Sequence, residues 1–135
     1  MEEESRFRSW FSAEAVVLGW VRPVTFTEAL MSWRELVKQC AAGYGFGIYE
    51  YDNDLGIRDL LQVVFGDAEG DAAEVDGARK SIAGIDQTFR EALAPGLQIG
   101  TDTEPWWRRG VPRVAGSELA EDLAERYGVR VEVSP

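Results

Sequence analysis

From Ala72 to Leu93 the apolar positions Val75, Ala78, Ile82, Ile85, Phe89 and Ala92 step by three and four without a miss. That spacing lays them along one stripe of a single long helix, the most regular pattern in the chain. A stripe of this length has to be covered. Packing on a sheet of the same chain is the simplest cover, and its near-heptad repeat also allows pairing with a second copy, which would make the protein a homodimer or a structural subunit. Pro95 and Gly96 close the helix, because proline cannot continue it and biases the residue before it toward extended backbone.

The other elements follow from similar signals. "TEALMSWRELVKQCAAG" reads as a helix with Thr27 as its cap and Gly43 as its left-handed stop, and its apolar residues at 29, 30, 33, 36, 37 and 40 form one buried stripe. Cys40 lies on that stripe, far from any group that would lower its pKa, and reads as core. A further helix is expected from Asn53 or Asp54 to Phe65, with Leu55, Ile57, Leu60, Leu61 and Val64 inward. "GDAEGD" at 66–71 reads as a loop, and the acids Asp67, Glu69, Asp71, Glu74 and Asp76 as solvated surface. "SELAEDLAERYGVRVEV" predicts a helix capped by Ser117, with Leu119, Leu123 and Tyr127 inward and Gly128 as stop. A strand through Val129, Val131 and Val133 follows it. Residues 6–22 read as helix, then strand. The expectation is one α+β domain over residues 1–135, with about four helices packed on a small sheet.

Composition narrows the function classes. The chain has 135 residues, 45% hydrophobic and 28% charged, ordinary globular values for a chain that folds throughout. No apolar run approaches the roughly 18 residues of a membrane span. The acidic start does not resemble a secretory leader, and the single cysteine excludes an internal disulfide, so the expected location is the cytoplasm. Twelve arginines against two lysines, with 14 glycines, point to a GC-rich bacterial genome. A net charge of −10 repels nucleic acid and anionic membranes alike, and favours a basic partner.

The stretch "GYGFGIYEYDNDLGIRD" at 43–59 concentrates glycines, tyrosines and acids. Its glycines do not have the G-x-G-x-x-G spacing of a dinucleotide loop. Its acids do not fit a calcium-binding EF-hand, since the registers from Glu50 and Asp52 both fail at the glycine and at the closing glutamate. Read as a strand, it places Tyr44, Phe46 and Ile48 on one face with Gly45 and Gly47 opposite. Glu50 and Asp52 then share a side, and Tyr49 and Tyr51 share the other. One of Asp52, Asn53 or Asp54 would cap the following helix. A looser Mg²⁺ or Mn²⁺ site would draw on Glu50, Asp52, Asp54 and Asp59.

With no histidine there is no histidine-based triad, and no other catalytic motif is present, so the balance is against an enzyme and no cofactor is implied. "TEPWWRRGVPR" at 103–113 sets two tryptophans beside two arginines, residue types enriched at binding hot spots, although one ring of an extended pair should face the core. Small acidic domains without catalytic chemistry include immunity proteins and inhibitors that cover a basic toxin or nuclease. The residues nominated for such a contact are Tyr49, Glu50, Tyr51, Asp52, Asp54, Trp107 and Arg108. The alternative is a small divalent-metal hydrolase or metal-binding protein built on the carboxylates above.

Overall fold

A computed structural model of the chain describes residues 25–66 and 73–134. The expectations for residues 6–22, for the acids at 67–71 and for the side chains of Val64, Glu74 and Val75 fall outside the described residues.

Helix α1 spans Phe26–Ala42 and is capped by Thr25 rather than Thr27. The Thr25 hydroxyl accepts the Glu28 N–H at 3.1 Å while the Glu28 carboxylate reaches back to Thr25, a reciprocal capping box. Gly43 ends the helix as expected, at φ 115°, a conformation that disfavours any side chain. The Ala29, Trp33, Leu36, Val37 and Cys40 stripe is buried.

The expected strand through residues 48–52 is a helix, α2, over Ile48–Asp54. Ile48, Tyr51 and Leu55 are its buried residues, at helical spacing, so Tyr49 and Tyr51 do not share a face. Asp52, Asn53 and Asp54 lie in its last turn instead of capping the next helix. The chain turns at Leu55 and resumes as α3, Gly56–Gly66, so the single helix expected from 53 to 65 is two. Leu55, Ile57, Leu60 and Leu61 are buried as read from the sequence.

Helix α4, Ala73–Glu91, buries Ala78, Ile82, Ile85 and Phe89. It packs against α1 rather than on a sheet, with the Phe89 and Trp33 rings edge to face at 5.0 Å. The helix stops before Ala92. The Pro95–Gly96 segment belongs to strand β1, Leu93–Gln98, which pairs antiparallel and irregularly with β2, Gly110–Pro112. Between them the "WWRR" run is the short helix α5, Trp106–Arg109, opened by Pro105, and not an extended segment.

Strand β3, Val114–Ala115, leads into α6, Ser117–Tyr127, and then to β4, Glu132–Val133, parallel to β3. Gly116, not Ser117, occupies the cap position, because a side chain there would meet the Tyr44 carbonyl at 2.6 Å. That carbonyl accepts the Gly116 N–H at 2.9 Å, and Tyr44 bridges Ala115 in parallel. Of the strand expected from 129 to 133 only Glu132 and Val133 pair. Val133 is exposed, and so is Tyr127, expected on the inner face. The buried residues of α1 to α6, β2 and β3 form one continuous core, so the chain is a mixed helix-and-sheet domain.

Candidate functional site

Two acids, Asp86 buried and Asp59 partly exposed, organise the polar contacts between the helices. Asp86 of α4 accepts from the Trp33 indole at 3.0 Å and takes both Nε and Nη2 of Arg58 at 2.9 and 2.8 Å, with Arg58 and Asp86 nearly solvent-free. The Arg58 guanidinium lies over the Trp107 ring, 4.3 Å from its centroid. The Trp107 indole in turn donates to Asp59 at 2.7 Å, and Asp59 holds Arg108 through Nε and Nη2. Arg108 Nη1 then reaches the Asp52 carboxylate at 2.6 Å. The Asp59 hydrogen bonds raise the Arg108 pKa further, against its partial burial. This run of alternating charges and rings ties α1, α4, α3, α5 and α2 together. Sequence reading missed Arg58, Asp86 and Trp33 as polar partners; a charge set into the apolar pattern of α3 and another in that of α4 were the available signal.

The run decides the fate of several nominated residues. Trp107 is buried and structural, and Arg108 is neutralised from within. The Tyr44 hydroxyl donates to Asp54 at 2.5 Å. Burial, reinforced by that bond, raises the Tyr44 pKa well above its usual value. Tyr51 is buried, its hydroxyl has no hydrogen-bond partner, and burial raises its pKa too, against a lowering by Arg108. Burial pushes the Cys40 thiol up to about 12, with the Asp54 charge adding to it, which makes it inert.

Tyr49, Glu50, Asp52 and Asp54 are on the surface, the last two bonded to Arg108 and Tyr44. Tyr49 is 72% exposed, with the Arg126 guanidinium 4.6 Å from its ring centroid and donating to its hydroxyl. Beside it, three carboxylates converge on Gly47. Asp122 Oδ2, Glu118 Oε1 and Glu50 Oε2 lie 2.7, 3.0 and 3.2 Å from the point where a side chain on Gly47 would begin. Asp122 also accepts the Ile48 N–H at 2.9 Å, so the N-terminus of α2 is capped from α6. Phe46, 56% exposed, adjoins this cluster in sequence. Glu118 and Asp122 were not singled out from the sequence; they come to Gly47 only through the packing of α6 on α2.

A cavity of about 230 Å³ lies beside α2. Tyr49, Tyr51 and Asp52 of α2 line it with Glu104, Arg108 and Tyr127. Four of the seven residues nominated from the sequence are therefore in its wall. Glu50, Asp52, Asp54 and Asp59 do not gather as the metal reading required: Asp52 and Asp59 are both taken by Arg108, and Asp54 by Tyr44. Among the described residues no group of three or more acids or cysteines is arranged to hold a metal ion. Nor is any described helix long and apolar enough to cross a membrane. No protein-family model, curated protein or solved structure matches the chain.

Proposed function

We propose that the protein is a non-catalytic binder of a basic protein partner, of the immunity or inhibitor kind, and that the face formed by α2 and α6 is its contact surface. The observation that carries this reading is the set of Glu50, Glu118 and Asp122 around Gly47. Among the described residues none of the three is in an ion pair, although like charges so close repel one another. A cation from a partner relieves that repulsion. Exposed Tyr49 and Phe46 supply the aromatic area that anchors protein contacts, with a charged rim that steers and selects the encounter.

Tagged protein passed over a native lysate tests this, with a Glu50→Lys/Glu118→Lys variant in parallel and washes at low and high salt. The expected result is one basic protein at near-equal stoichiometry, lost with the variant and weakened by salt. Retention that the variant leaves unchanged, or empty beads at low salt, would overturn the assignment. Asp52 and Asp54 are poor choices for charge reversal, since both serve internal bonds to Arg108 and Tyr44.

A further inference from the structure

We propose that the cavity beside α2 is a receptor for one arginine or lysine side chain of that basic partner. This rests on the function proposed above and gives it a specific anchor. At about 230 Å³ the cavity is smaller than the roughly 300–1,000 Å³ typical of small-molecule sites, and suits a group the size of a side chain.

Its chemistry favours a cation. Glu104 is half-buried over Gly100, and its carboxylate makes no hydrogen bond or ion pair among the described residues. Tyr49, Tyr51 and Tyr127 contribute to the wall, the residue type whose ring faces attract ammonium and guanidinium groups. The Tyr51 hydroxyl is buried without a partner, a cost that a native fold seldom leaves in place without a use.

Arg108 offers an anion little. All three nitrogens of Arg108 are engaged, by Asp59 and Asp52. In the lining Asp52 and Glu104 balance Arg108 and Arg126, and Asp59 outside it meets part of the Arg108 charge as well. Arg126 already sits against Tyr49 at the cavity wall, so the chain places its own guanidinium where the partner's would dock.

Titration of N-acetyl-L-arginine amide, followed by amide chemical shifts, reads the site directly, with N-acetyl-L-glutamine amide as the neutral control. The expected result is a saturable shift at Ile99, Gly100 and Glu104 for the arginine probe alone. Affinity falls about tenfold or more in Glu104→Gln, as for loss of one charged hydrogen bond. Glu104 makes no internal bond, so this variant should fold; Tyr127→Ala, at a 43% exposed position, is a second and should weaken binding as well. Arg126→Gln, which removes the internal competitor, should tighten it.

No saturable shift, equal response to the glutamine probe, or undiminished affinity in Glu104→Gln would overturn the proposal. The two readings fail separately. A basic protein retained in a manner sensitive to Glu50→Lys/Glu118→Lys but indifferent to Glu104→Gln keeps the surface and removes the cavity. Probe binding with no retained protein keeps the cavity as a cation site and removes the surface.

Discussion

Arg58 and Asp86 are among the few charged side chains that the core encloses, and their value is conditional on each other. Asp86→Ala leaves a guanidinium buried against Trp107 without its counter-charge and strips the Trp33 indole of its acceptor. Its expected cost is about 3–5 kcal/mol, read by urea unfolding. Arg58→Met/Asp86→Leu should recover most of this, because an apolar pair of similar volume carries no desolvation penalty, and the shortfall measures the lost Trp33 bond. A recovery no better than Asp86→Ala alone would show that the pair acts through shape and not charge. This pairing was illegible beforehand. Helical periodicity places Arg58 and Asp86 within their helices, but only the packing of α3 near α4 brings a base to an acid 28 residues away.

At the scale of elements, α2 is the case where local and tertiary signals disagree. "IYEY" is rich in β-forming residues, which points to a strand. The same segment has Ile48, Tyr51 and Leu55 at helical spacing, and burial follows that second pattern. Seven residues are too few to hold a helix by propensity, so its contacts decide. One of them is testable. Asp122→Ala removes the cap that α6 lends to Ile48 and should cost about 1 kcal/mol, with faster hydrogen exchange at the first amides of α2. Unchanged exchange at Ile48 would mean that α2 stands without α6.

The helix ends show a finer version of the same conflict. "TFTEAL" holds two threonines, and the second sits nearer the apolar run, yet only the first stands three residues before Glu28, as a capping box requires. By contrast α1, α3, α4 and α6 were legible as helices because each carries a long apolar period. Gly43 and Gly128 were legible as stops because a positive φ selects glycine.

At the scale of the whole molecule, charge is unevenly spread over the described residues. Both lysines, with Arg34, line a groove between α1 and α4, where Lys80 also pairs with Asp76, whereas Glu50, Glu118 and Asp122 crowd together where α6 meets α2. The core sets a second global property, through three acidic groups that burial keeps protonated. Cys40 is held near 12 against an ordinary 9.0, and Tyr44 and Tyr51 are raised above 10.0. The unfolded chain therefore sheds these protons first. Their contribution to stability is complete below about pH 9 and falls as pH rises toward the folded values. Urea midpoints from pH 7 to 11 should decline above pH 9, and less steeply in Tyr51→Phe, which should cost nothing at pH 7 since the hydroxyl has no partner. An equal decline in both proteins would exclude Tyr51 as a source.

The parallel pairing of β3 with β4 has a consequence for truncation. Ala115 accepts its outer hydrogen bond from Ser134, and Arg113 accepts from Glu132, so β3 has Tyr44 on one side and β4 on the other. A chain cut short before Glu132 would therefore leave the Arg113 and Ala115 carbonyls without these partners.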